Sequence, residues 1–423
     1  MLRPYRVILT TPGALAFSAS GLLARLPISM VGIGIVLMLS AEYNSYGLAG
    51  RVSAVYVITS ALCAPQIARL VDARGQARVM RPATFATIGG LVALILVATA
   101  SAQPVWLYAT AIVAGAPAGS FGSLVRARWS HALDDAQHLH TAYSLESALD
   151  EVVFVVGPVL APVLATAVAP AAGLVVPILA LLVGGLLFLS LTATEPPVLA
   201  RADTRAADDA TDGAAAPRGR PRSVMRSRGM LVLAAVFVAM GSIFGATDVS
   251  TVAFAQEHGS KGSAGFVLAA FALGSMLSGL GYGARRWVRP LWRRFANGVI
   301  ALAVGVSLFF LATSIPALAA VMFVTGFAIA PTLINGNGLV QHFVAPGRLT
   351  EGLTWVGTTL GIGVSIGSSA AGMLIDEHGS RGGFAVVAVA AGFAVVATSV
   401  SLRTLRAGSP GATPLPLLGS EPV

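Results

Sequence analysis

Glu146 and Asp150 stand four residues apart inside an otherwise apolar run, and Arg25 interrupts another such run near its middle. A charged side chain at membrane depth costs at least about 2.5 to 3.5 kcal/mol on insertion scales, which makes each of these groups a functional candidate. On a helix the two carboxylates share a face one turn apart, while Glu151 points to a different face. Neighbouring carboxylates repel unless one takes up a proton or a cation stands between them. The chemistry expected is therefore proton binding and release at a buried ion pair. The competing reading is a permanent pair that only orients two helices. Asp248, in the outer third of a later run, is a second candidate proton or cation site, or a group that reaches the outer interface. Glu351 precedes Trp355 by one helical turn, a pair suited to a cationic or aromatic substrate, and also what an ordinary helix start at an interface carries. Asn335 and Asn337 flank Gly336 inside an apolar run, where buried amides need partners in the protein or in a substrate.

Nothing in the chain proposes covalent catalysis. There is no Gly-x-x-x-x-Gly-Lys phosphate loop, and the six histidines are scattered without paired metal-ligand spacing. The single cysteine, Cys63, rules out an intramolecular disulfide and a multi-cysteine metal site. No catalytic residue, cofactor or metal is expected.

The elements that must hold these groups are membrane helices. Of 423 residues, 56% are hydrophobic and 11% charged, against roughly 25% charged in a soluble domain. A water-soluble fold needs a polar skin that such a chain cannot supply. Twelve runs are long enough, at about 20 apolar residues, to cross the hydrocarbon. They cover approximately 15–40, 46–70, 81–101, 104–125, 141–167, 173–194, 230–255, 263–283, 295–313, 316–342, 350–375 and 382–402. Arg3 and Arg6 ahead of an apolar run resemble the start of a secretory signal, but Arg25 breaks the run and eleven more follow, so a first span is expected. The net charge of +9 is spread between the apolar runs and gives no basic stripe for nucleic acid. With both termini in the cytoplasm, every Lys and Arg except Arg25, Arg51, Lys261 and Arg381 falls on or beside a cytoplasmic segment, which sets the expected orientation in a cell membrane.

Residues 195–228, rich in Ala, Arg, Asp and Pro, read as a cytoplasmic linker between a six-helix bundle at 1–194 and a second at 229–423 with a short cytoplasmic tail. The halves echo each other at nearly constant separation, in Ala49-Gly50 with Ala264-Gly265, Gly115 with Gly326, and Gly157 with Gly367. A parallel six-plus-six repeat suits alternating access about a central cavity.

The loop Ala68-Arg69-Leu70-Val71-Asp72-Ala73-Arg74-Gly75-Gln76-Ala77-Arg78 resembles the Gly-x-Leu-x-Asp-Arg-x-Gly-Arg-Lys signature of the major facilitator superfamily. Leu70, Asp72 and Gly75 match. Ala68, Ala73 and Gln76-Ala77 depart from it, leaving the arginine roles to Arg74 and Arg78. The resemblance implies an all-α fold of twelve transmembrane helices in two six-helix bundles. It also implies that Asp72 docks at the start of span 11, near Thr350 to Leu353, as part of a gating loop, where an ordinary solvated turn is the alternative. Spans 1 and 5 are neighbours in that arrangement, so Arg25 is the expected partner of Glu146 or Asp150, and span 10 with Asn335 and Asn337 lines the cavity. Gly157-Pro158 resembles the core of the antiporter signature on span 5, against which stands a plain proline kink.

Taken together, these readings lead to the expectation of a secondary transporter, monomeric in the lipid bilayer, that exchanges protons for small amphipathic compounds and exports them. A proton-coupled importer of a metabolite or sugar, and a membrane sensor or partner that transports nothing, remain open.

Overall fold

The computed structural model describes residues 3–198, 223–260, 263–345 and 347–407. Most of the linker expected at 195–228 and the tail beyond 407 lie outside the described residues.

The first apolar run is broken where Pro27, which has no N–H to donate, opens a new helix. α1 (Arg3–Leu9) and α2 (Ala14–Arg25) precede this break, and α3 (Pro27–Tyr43) follows it, so Arg25 lies at a helix junction. α4 (Tyr46–Arg74) and α5 (Gln76–Thr99) meet at Gly75, whose φ of 96° lies in the region that favours glycine. α6 (Pro104–Gly115) stops before Pro117, and Ser120 caps α7 (Phe121–Ala132) by accepting from the Ser123 amide. α8 (Ala136–Ala167) is capped by Asp135. It is followed by α9 (Ala172–Ala180), a π-turn at Leu181–Gly185, and α10 (Leu186–Ser190).

The second part contains α11 (Arg228–Glu257), α12 (Ala264–Gly283), α13 (Leu291–Ser307), α14 (Ile315–Gly326), α15 (Ile329–Phe343), α16 (Leu349–Val400) and α17 (Leu402–Ala407). Among the described residues, ten helical stretches are long and apolar enough to cross a bilayer, and Pro104–Gly115 is a shorter apolar helix. Two features separate this pattern from the expected runs. The fourth run is interrupted between α6 and α7, and the last two share one element, α16, in which two helices meet at a corner. At 1.5 Å per residue the 30 residues before Gly379 and the 21 after it extend about 45 and about 32 Å, each enough to cross the hydrocarbon. Gly379, with φ 65° and ψ −162°, turns the chain inside α16. Glu257 secures that corner by accepting from the Ser380 amide at 2.6 Å and hydroxyl at 2.5 Å.

Side chains between Tyr5 and Leu189, joined by Ala330 and Ile334, form one apolar core, and those between Val224 and Leu405 form another. Outside them Leu62, Phe85, Val159 and Val389 are each more than half exposed, a surface suited to lipid. Helices can approach closely only where side chains are small. Along the α11–α16 seam, a Cβ on Gly241 or Gly245 would strike the carbonyls of Leu360 or Val364. One on Gly363 or Gly367 would strike those of Val238 or Ser242.

The two parts touch mainly at the end that carries Asp72. There the Tyr5 hydroxyl donates to the Leu280 carbonyl at 2.5 Å, Thr141 to the Gly283 carbonyl at 2.7 Å, and Gln341 to the Tyr143 hydroxyl at 2.6 Å. Among the described residues, side-chain hydrogen bonds between the parts lie at this end or at mid-height. The molecule is clasped at one end.

Candidate functional site

The site is built on α8. Asp135 fixes the start of that helix by accepting from the Gln137 and His138 amides at 2.8 and 3.1 Å. The His138 bond is the largest influence holding the Asp135 carboxyl below its usual range. Glu146 and Asp150 follow on one face and meet Arg25 at the α2–α3 junction. One Arg25 nitrogen, Nη2, pairs with Glu146 Oε2, and the other, Nη1, donates to Asp150 Oδ1 at 2.6 Å. Arg25 Nε donates to the Gly21 carbonyl at 3.1 Å. Arg25 thus contacts both carboxylates.

A second cation completes the group. Arg126 Nη2 lies 2.7 Å from Asp150 Oδ2, so two guanidiniums face two carboxylates and the cluster carries no net charge. Glu146 Oε1 also accepts from Ser18 Oγ and Trp129 Nε1, both at 2.7 Å. Every strong acceptor of the buried Glu146 therefore has a partner, which is what a charge out of water requires. The Glu146 side chain is fully buried, whereas that of Asp150 is 28% exposed. Of the two carboxylates, Asp150 is the accessible one. Sequence reasoning passed over Arg126 because it placed the end of span 4 at Val125. After the break before Phe121 the helix resumes as α7, on which Arg126 is buried and reaches Asp150.

Glu151, one residue on, joins the two parts of the molecule. Its Oε1 accepts from Ser275 Oγ of α12 at 2.5 Å, near the middle of both helices. The same short stretch of α8 thus holds an internal charge cluster and a bond to the other half. Gly157, further along, lets α8 close on α3, since a Cβ there would strike Ser29. Pro158 continues within the helix. Asp248 is exposed on α11, away from the cluster, while its neighbours Thr247 and Ser250 are buried. The structure does not bring it to Arg25.

At the clasped end, Asp72 Oδ2 accepts the Glu351 amide N–H at 2.8 Å, an anion at the first turn of α16. Arg74 and Arg78, expected to supply the cations, are both exposed. The cations at this junction are instead Arg348, paired with Glu351, and Arg69, whose Nε lies 3.8 Å from Glu351 Oε1. The register of α4 explains the difference: Arg69, one turn before Asp72, shares its face, and Arg74 does not.

Glu351 and Trp355, the expected substrate pair, lie at this clasped end. Glu351 is buried among arginines and accepts from the Val224 amide at 3.3 Å, so its charge is already used, and Trp355 is half-buried. Asn335 is fully buried and exchanges hydrogen bonds with the Tyr282 hydroxyl of α12, its Nδ2 donating at 2.9 Å. It therefore joins α15 to α12 here. Asn337, one residue beyond Gly336, is half-buried. No group of three or more His, Cys, Asp or Glu side chains able to hold a metal ion occurs among the described residues.

The sequence matches the family described as Major Facilitator Superfamily over residues 17–308 and 293–421. Two solved structures share the fold. A bacterial homologue of the iron transporter ferroportin, in an outward-facing state, is similar at 15% identity and a TM-score of 0.71, over 93% of this chain and 99% of that one. The human organic anion transporter MFSD10 (TETRAN) is similar at 14% identity and a TM-score of 0.68, over 94% and 99%. No curated protein matches the chain.

Proposed function

We propose that this chain, which belongs to the major facilitator superfamily and is a secondary membrane transporter and not an enzyme, exports small amphipathic compounds in exchange for protons. The observation that carries the reading is the position of Asp150, held between Arg25 and Arg126 with its carboxyl partly exposed, beside Glu151, which reaches the other half at Ser275. A proton arriving at Asp150 removes one of two negative charges from the balanced cluster and frees a guanidinium. Loss of the Glu151–Ser275 bond loosens the halves at the same height. Proton binding and alternating access are thereby linked through one turn of α8.

The reading includes a topology of twelve spans as two six-helix bundles, obtained by counting α6 with α7 as one span and dividing α16 at Gly379. Residues 195–228 link the bundles. Both termini and the Asp72 end are assigned to the cytoplasm of a cell membrane by the arginine distribution, and the transporter is taken as a monomer. The conformer is then closed toward the cytoplasm. Export is favoured by Gly157-Pro158 on α8, and amphipathic cargo by the small number of polar groups within the spans.

The test is flux driven by a pH gradient in proteoliposomes, with cationic dyes and lipophilic drugs as cargo, comparing wild type with Asp150→Asn. Dye added to wild-type vesicles dissipates the proton gradient, and Asp150→Asn does not. Equal proton-driven transport by both proteins removes Asp150 from the mechanism. Transport of a metabolite or sugar down an inward proton gradient, with no movement of any dye, replaces export by import.

A further inference from the structure

The segment between α12 and α13, with the first turn of α13, contains Arg285, Arg286, Arg289, Arg293, Arg294, Trp287 and Trp292, and no acidic residue from Gly283 to Phe295. Its counterpart in the first half ends on Asp72, whose charge is taken up by the start of α16. The second-half segment has no such partner among the described residues. Arg285, Arg286, Arg289 and Arg293 are exposed, and Val288 between them is 97% exposed. None of these arginines lies within 4 Å of a carboxylate among the described residues. Asp135, before α8, feels Arg286 as the weakest of the influences on its carboxyl.

The cations are also ordered. Trp287 stacks beside Tyr282 with ring centroids 4.3 Å apart and donates its indole N–H to the Tyr282 carbonyl at 3.0 Å. The Arg285 and Arg294 guanidiniums lie 5.3 and 6.0 Å from the Trp287 ring, and that of Arg293 lies 5.1 Å from Trp292. Nε and Nη1 of Arg294 are shielded from solvent and meet no hydrogen-bond acceptor among the described residues. Arg285, Arg286, Trp287, Val288 and Arg289 line one open concavity. Because α12 and α13 both end here, the concavity sits where hydrocarbon gives way to headgroups, the level at which tryptophan anchors.

We infer that residues 285–294 bind the phosphate headgroup of an anionic phospholipid. Arg285, Arg286 and Arg289 face the phosphate, while Trp287 and Val288 enter the interfacial layer. Clustered guanidiniums without carboxylate partners among the described residues complement an anionic headgroup, and the exposed apolar residue among them suits a lipid. The same segment clasps the first half: the carbonyls of Tyr282 and Arg285 accept from His140 and Gln137 at 3.3 and 3.1 Å. A lipid bound here therefore also steadies the closed end.

The experiment is native mass spectrometry of the full-length protein released from detergent with phosphatidylglycerol, and separately with phosphatidylcholine. Three proteins are compared: wild type, the triple variant R285Q/R286Q/R289Q, and R6Q/R403Q/R406Q, which removes three exposed arginines elsewhere. Wild type retains phosphatidylglycerol in preference to phosphatidylcholine. The triple variant loses about a hundredfold in phosphatidylglycerol affinity, on the order of fivefold per arginine, and the second variant keeps the wild-type preference. Full retention by the triple variant overturns the site. Equal loss in both variants also overturns it, since binding then follows total charge and not this concavity. All three proteins are compared as single peaks on size exclusion, so that misfolding is recognised and a variant that fails is replaced by the corresponding single substitutions.

Discussion

Removing Arg25 alone should be worse for the protein than removing Arg25 and Glu146 together. In Arg25→Met, Glu146 keeps its Ser18 and Trp129 donors but loses its cation, and its side chain is fully buried. Removing one partner of a buried pair costs about 3 to 5 kcal/mol, and the two surviving donors place this case near the lower end. Glu146→Gln leaves two guanidiniums sharing Asp150 and costs a similar amount. In the double variant the Arg126–Asp150 pair remains and the site is again neutral, so the loss falls to about 1 to 2 kcal/mol. The interaction free energy from the cycle is then at least about 4 kcal/mol. The assay is reversible unfolding in mixed micelles, followed by tryptophan fluorescence, on all four proteins. Additive losses, with the double variant the least stable of the set, would refute the reasoning that these four charges form one balanced unit.

Asp72→Ala removes a charge-assisted bond to the Glu351 amide, worth about 1.5 to 3 kcal/mol, and should favour opening of the clasped end by at least tenfold. Distances between spin labels at Arg78 and Arg403 report that opening as a longer population. Asp135→Ala deletes the cap of α8 and costs about 1 kcal/mol. Because backbone amides hold the Asp135 carboxyl below its usual range, its contribution is complete above the ordinary carboxylate pKa. It disappears as pH falls through the depressed value, so the stability gap between wild type and Asp135→Ala narrows in acid. Gly363→Leu drives a side chain into the Val238 carbonyl, separates α11 from α16, and should abolish a monodisperse size-exclusion peak; Gly361→Leu, where a Cβ meets open space, should retain it.

The apolar runs, their lengths and the special loop around Asp72 are legible from the sequence because hydropathy and a few motif residues report them directly. Helical periodicity combined with the resemblance brings Arg25 to one or other of the α8 carboxylates, whereas in the structure it contacts both. Other parts of the cluster do not follow. Arg126 enters it only because the chain breaks between Gly115 and Phe121, and no hydropathy window reports where a broken helix resumes. The substitution of Arg69 and Arg348 for Arg74 and Arg78 is a matter of helix face near a terminus, where one or two residues of error invert the answer. Glu351 looks like a cavity residue from its spacing to Trp355. Its ion pair with Arg69, nearly three hundred positions away, is beyond the reach of local patterning. The corner at Gly379 falls in the polar gap 376–381 between the last two expected runs, where Asp376, Glu377, His378 and Arg381 interrupt the apolar pattern.

The central claim is that proton binding at the α8 carboxylates is coupled to cargo. Its most direct test is proton release on addition of a transported dye to detergent-solubilised protein in weakly buffered solution, with wild type beside Asp150→Asn and Glu151→Gln. The account predicts a stoichiometric release from wild type that is lost or reduced in the α8 variants, while dye still binds. Undiminished release from both variants would contradict it, and would place the coupling group elsewhere in the transporter.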